Sequence, residues 1–206
     1  MSENQKKASK TKSKDFDWTR LNEFEDFLSK LNARPVEYID GTVYRGQLAG
    51  ELKEGLGIIE YPNGDVYKGQ FADDEFEGKG IYFSKEMKYE GHWKQGYCHG
   101  RGTETWTDGA LFRGDFILGE KTGKGFYQWR NGNVYEGEWK NDKMHGQGVL
   151  RYKNGDVYEG GFRDGKREGH GKLTRPDGNV VEGEFKQGSE TDVGKRYRVV
   201  LDTVKE

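Results

Sequence analysis

The chain has 206 residues, 32% of them apolar and 34% charged, and its 34 basic and 36 acidic side chains leave a net charge of −2. That balance excludes a general nucleic-acid binder, and an apolar content below the roughly 45–50% of ordinary domains excludes a thick aliphatic core. Yet 5 Trp, 12 Tyr, 11 Phe and 32 Gly are present, and disordered chains are poor in aromatics, so rings must supply the order.

Residues 1–15 carry Lys6, Lys7, Lys10, Lys12 and Lys14 with no aromatic residue or periodicity, and read as a disordered Lys-rich tail. Residues 16–34 read as an amphipathic helix. Leu21, Phe24, Leu28 and Leu31 follow helical spacing, Phe27 lies alongside, and Pro35 ends the pattern. Two roles are open for it. It caps the open sheet edge or the aromatic face of the first unit, or it joins the tail as a membrane anchor. Glu23, Glu25 and Asp26 suit an anionic surface poorly, which favours the cap.

From Val36 to residue 188 the chain repeats itself. Tyr44-Arg-Gly, Tyr67-Lys-Gly, Tyr89-Glu-Gly, Phe112-Arg-Gly, Tyr135-Glu-Gly, Tyr158-Glu-Gly and Val181-Glu-Gly recur at intervals of 22 or 23 residues. A Gly-x-Gly step follows in six units, from Gly55/Gly57 to Gly169/Gly171, and Asn-Gly or Asp-Gly pairs such as Asn131-Gly132 separate them. Each unit reads as a β-hairpin: Tyr135-Glu136-Gly137-Glu138-Trp139 alternates with period 2, and Asn-Gly supplies a tight turn. Glycine weakens a strand unless something lies close above it, and here the rings are what needs the room. The repeat glycines Gly69, Gly91, Gly114, Gly137, Gly160 and Gly183 are therefore site candidates. The architecture expected is all-β, an elongated single-layer antiparallel meander, stacking to roughly 60–70 Å from the strand spacing. It comprises a leading half unit, six full units from Tyr44 and a partial seventh from Val181, with short caps at the ends. One face collects the aromatic rings; the other is mostly charged, as at Arg45, Lys68, Glu136 and Glu159.

Tyr135-Glu-Gly-Glu-Trp139 followed by His145-Gly146-Gln-Gly148 resembles the MORN repeat (membrane occupation and recognition nexus), and the resemblance extends over about Tyr44 to Phe185. It departs from the pattern at Lys85-Glu86-Met87, where a turn glycine belongs, and at Val181, which opens a fraying or capping unit. Residues 189–206 form a C-terminal cap or tail, either a last strand or a short helix; in some family members a helix plugs the sheet there.

The candidate catalytic and metal motifs are incomplete. Gly119–Gly125 has three residues before its Gly-Lys and no following Ser or Thr, unlike a Walker loop. His99 and His145 fall two units apart, roughly 19 Å by strand spacing, too far to share a metal with ligands about 2 Å from one centre. The lone Cys98 precludes an intrachain disulfide and suits a reducing compartment, with no metal, cofactor or catalytic residue expected. Without a secretory leader or an apolar run of about 18 residues, the expectation is a cytoplasmic protein.

An aromatic face of this length exceeds what soluble monomers leave bare. The expected site is a partner-binding groove of Tyr67, Phe71, Tyr89, Trp93, Trp106, Phe112, Phe116, Trp129, Tyr135, Trp139, Tyr152 and Tyr158, taking a helix or extended peptide. The family resemblance implies a non-enzymatic scaffold in a ciliary, axonemal, cytoskeletal or cortical assembly. Two alternatives stand beside it: phospholipid binding through the five tail lysines on an anionic membrane surface, and self-assembly, for example as a homodimer.

Overall fold

The computed structural model describes residues 21–30, 33–186, 189–190 and 195–198. The tail 1–15, with its five lysines, lies outside them. The chain forms two compact units, one ending at Tyr97 and one beginning at Cys98.

The first unit holds helix α1 (Leu21–Lys30) and strands β1 (Val36–Glu37), β2 (Val43–Ala49), β3 (Leu52–Glu60), β4 (Val66–Ala72), β5 (Glu75–Phe83) and β6 (Met87–Lys94). The second follows from β7 (Tyr97–Trp106) with β8 (Leu111–Ile117), β9 (Glu120–Gln128), β10 (Val134–Lys140), β11 (Lys143–Arg151), β12 (Val157–Arg163), β13 (Lys166–Thr174), β14 (Asn179–Lys186), β15 (Ser189–Glu190) and β16 (Lys195–Arg198). Within each unit, consecutive strands pair antiparallel in sequence order as far as β15, and β16 pairs with β14. Each sheet is a single-layer meander.

The glycine spacing is explained by the register. Gly46 faces Gly57 beside the pair Tyr44–Ile59, and Gly137 faces Gly148 beside Tyr135–Leu150. The tyrosine ring lies across its glycine pair: a Cβ on Gly148 would stand 2.5 Å from Tyr135 Cε2. Only hydrogen fits there.

The alternation of faces holds along each strand, but the pairing ladder inside a unit is interrupted. The ladder slips after Gly137, leaving two residues of β11 unopposed, and Gly146 turns to φ +59°. This bulge exposes an amide that a side chain must satisfy. Glu138 Oε1 accepts from Gln147 N at 3.0 Å, and Gln47 Oε1 and Gln70 Oε1 accept from Leu56 N and Lys79 N at 2.7 Å. Glu138 is therefore a bulge cap. The turns between units are built as expected: Gly132 adopts φ +90° and Asn131 Oδ1 accepts from Asn133 N at 2.9 Å. Turns inside units use Asn141 and Asp142 at φ +49° and +62°, residue types that tolerate this region.

Helix α1 buries Phe24 and Leu28 against Leu56 and Ile58, with Phe27 and Val66 packed alongside. Ile58 is the register partner of Arg45 and Lys68, so this is the face turned away from the tyrosine rings. The expectation that the helix covers the sheet edge or the aromatic face is corrected. The stripe is helical, but its docking surface is an aliphatic island on the charged face. At the other end β16 pairs with Asn179–Glu182 of β14, and β15 with Phe185 and Lys186. Of the two forms open for Lys195–Arg198, the strand is the one adopted; residues 199–206 lie outside the described set.

Candidate protein-binding surface

Tyr44, Tyr67, Tyr89, Phe112, Tyr135 and Tyr158 are 0% exposed. Each of these tyrosines donates its hydroxyl to the carbonyl three residues on: Gln47 at 2.7 Å, Gln70 and His92 at 2.8 Å, Glu138 at 2.9 Å and Gly161 at 3.1 Å. The ring of the next repeat meets them edge-on, as Phe71 does Tyr44 at 5.2 Å and Phe162 does Tyr135 at 4.9 Å, an arrangement suited to the ring quadrupole. Burial drives the hydroxyls of Tyr44, Tyr67 and Tyr135 far above the ordinary tyrosine range, and that of Tyr158 up to about 12 against the pull of Arg167. They stay protonated donors at neutral pH. Phe112 shows that a unit folds without this bond, so Tyr135→Phe is expected to cost only about 1 kcal/mol, the net worth of one hydrogen bond, read as a small shift in the urea midpoint.

A second position, two residues past the turn inside a unit, closes over these rings in four of the repeats. Phe76 stacks on Tyr67 at 3.7 Å with planes 7° apart. Lys53 Nζ lies 5.9 Å from the Tyr44 ring centre, Lys121 Nζ 5.2 Å from Phe112 and Arg167 Cζ 5.4 Å from Tyr158. The sequence reading missed this position because Lys, Phe and Arg share no hydropathy; what they share is affinity for a π face.

These contacts correct the extent of the expected groove. Nine of its twelve residues are buried: Tyr67, Tyr89, Phe112, Tyr135 and Tyr158 at 0%, Phe116 at 1%, Phe71 at 3%, Trp139 at 6% and Trp93 at 7% exposure. They bury one another and offer a partner almost no area. Trp139 is further tied to the sheet by Nε1 donating to Gly125 O at 3.2 Å. The three that remain half-buried, Trp106, Trp129 and Tyr152, stand at one repeat position, each opening an Asp-Gly or Asn-Gly turn. Tyr127 bridges two of them, 5.7 Å from Trp106 and 4.6 Å from Trp129. The result is a ledge of rings in the second unit, successive members two strands or about 10 Å apart by strand spacing.

Among the described residues, no group of three or more His, Cys, Asp or Glu is placed to hold a metal, and no helix is long and apolar enough to cross a membrane.

The repeated unit is thus a tyrosine laid over a cross-strand glycine pair. The MORN repeat pattern matches it at residues 44–66, 67–85, 89–111, 112–134, 135–157 and 158–180. The chain belongs to the MORN repeat family. Its MORN units carry the whole aromatic spine from Tyr44 to Tyr158, and the rings of the ledge are their turn-opening residues.

No curated protein matches the chain in sequence. Among solved structures, similar ones include the SAS-4 (dCPAP) TCP domain of Drosophila melanogaster in complex with a proline-rich motif of Ana2 (dSTIL), at 14% identity and TM-score 0.46, covering 74% of this chain and 84% of that one. The TCP10c domain of Drosophila melanogaster Sas-4 (12% identity, TM-score 0.35, 79% and 98% covered) and the TCP10 domain of Danio rerio CPAP (15%, 0.22, 80% and 97%) are also similar.

Proposed function

We propose that this MORN protein is a non-catalytic scaffold that holds a helix or extended peptide of a partner protein on the ledge of Trp106, Trp129 and Tyr152, within a ciliary, axonemal or other cytoskeletal assembly. The observation that carries the reading is the ledge itself: half-buried rings, evenly spaced, beside Phe112, Phe116, Tyr135, Trp139, Tyr158 and Phe162, which are buried by their own packing. Rigid aromatic anchors lose little entropy on binding and dominate interface energetics. The cytoskeletal setting rests on the family.

Trp106→Ala/Trp129→Ala tests this reading, with Trp139 left intact because its side chain belongs to the core. Anchors of this kind contribute about 2 kcal/mol or more each, so partners that wild type retains from a ciliated-cell lysate should be lost by the variant. Circular dichroism must show the variant folded. Retention of the same partners by the folded variant would exclude the ledge.

A further inference from the structure

The face turned away from the tyrosine rings differs in chemistry between the two units. In the first, Ile58 and Ile81 sit in one cross-strand row with Arg45 and Lys68. That face carries α1, whose sequence includes Glu23, Glu25 and Asp26: an acidic amphipathic helix on a basic-flanked aliphatic island. In the second unit the same repeat position is held by Thr103, Phe126, Val149 and Lys172, of which Phe126 and Val149 are apolar and half-buried. Their row reads Arg113, Phe126, Glu136, Val149 and Glu159 across β8 to β12. These residues, with Lys124, Glu138, Gln147 and the glycines between them, line a trough of about 790 Å³ in which the carboxylates of Glu136, Glu138 and Glu159 outnumber the basic groups of Arg113 and Lys124.

We propose that this trough docks a basic amphipathic helix of a partner protein, its apolar side chains seated on Phe126 and Val149 and its lysines or arginines meeting Glu136 and Glu159. Phe126 and Val149 lie two strands apart, roughly 9.6 Å. A helix crossing the strands rises about 10.5 Å in seven residues, so apolar residues at i and i+7, with i+3 or i+4 between them, reach both. The carboxylates select the sign of the partner's charge. The trough lies on the opposite face from the ledge, so the two surfaces are separate.

The test uses the full chain and a labelled peptide of residues 16–34 carrying Glu23→Lys, Glu25→Lys and Asp26→Lys, which keeps the apolar stripe and inverts its charge. At physiological ionic strength, anisotropy should show saturable binding to wild type, weakened at least tenfold by Phe126→Ser. Glu136→Lys/Glu159→Lys, at exposed positions that leave the packing alone, should weaken it similarly and should bind the unaltered acidic peptide better than wild type does. Trp106→Ala/Trp129→Ala should leave peptide binding unchanged. The proposal is overturned by absence of saturable binding, by equal binding to the folded Phe126→Ser protein, by a charge preference that Glu136→Lys/Glu159→Lys does not invert, or by loss of binding in the ledge variant.

Discussion

Gly137→Ala is expected to destabilise the protein by about 3 kcal/mol, at the upper end of what overpacking costs. The added Cβ would stand 2.6 Å from Gly148 Cα and 2.7 Å from Gln147 O, and would also strike the Tyr135 hydroxyl. The first two are backbone atoms of β11, so they yield only if β10 and β11 part and their ladder breaks. The ring cannot swing aside either, because Trp139 and Phe162 hold it edge-on at 5.4 and 4.9 Å. Gly132→Ala is the control. Gly132 has φ +90° and meets nothing closer than the flexible Lys153 side chain at 3.6 Å, so only the left-handed backbone is penalised, at about 1–2 kcal/mol. Urea unfolding followed by tryptophan fluorescence should rank Gly137→Ala clearly below Gly132→Ala. Equal shifts would mean that the cross-strand glycines are needed for backbone freedom and not for ring clearance.

The same geometry explains which parts of the fold can be read from residues alone. Tyr-x-Gly at a fixed interval, with Asn-Gly turns between, implies hairpins because local alternation and turn chemistry agree, and the glycines fall opposite one another in the ladder. What stays hidden depends on contacts between units. Alternation places Tyr67, Phe71 and Trp93 on one face, but only the edge-on packing of Tyr67 against Phe71 at 5.2 Å and Trp93 at 5.3 Å removes them from a partner's reach. A row of twelve rings thereby becomes a ledge of three. The docking face of α1 is hidden for another reason. Leu56 and Ile58 alternate with Gly57 and Ile59, and Ile59 lies beside Tyr44 and Tyr67, so β3 carries apolar side chains on both faces and hydropathy alone does not say which face takes the helix.

Lys121→Met is expected to cost about 3 kcal/mol, in the range for removing one partner of a buried ion pair. Glu104 is 8% exposed and occupies, beside Phe112, the place that Leu150 takes beside Tyr158. Its carboxylate has Lys121 Nζ 2.7 Å from Oε2, close but poorly aligned as a hydrogen bond, and that ammonium also lies 3.7 Å from Asp142. Around it stand Phe112, Trp106 and Phe116, at 5.2, 5.4 and 5.6 Å. Without the lysine, the carboxylate remains among rings with no counter-charge. Glu104→Leu/Lys121→Met uses the residues that other units carry at these positions, Leu150 and Met144, and should return to within about 1 kcal/mol of wild type, since apolar replacement of a buried pair is often neutral or better. A double-mutant cycle should therefore give a coupling of about 2 kcal/mol or more; a near-additive cycle would show that the two groups ignore each other. The double variant also separates stability from function. Lys121 lies over Trp106, the first ring of the ledge, so a protein of restored stability that has lost the partners retained by wild type would mean that the charge pair is kept to hold that tryptophan in its binding pose.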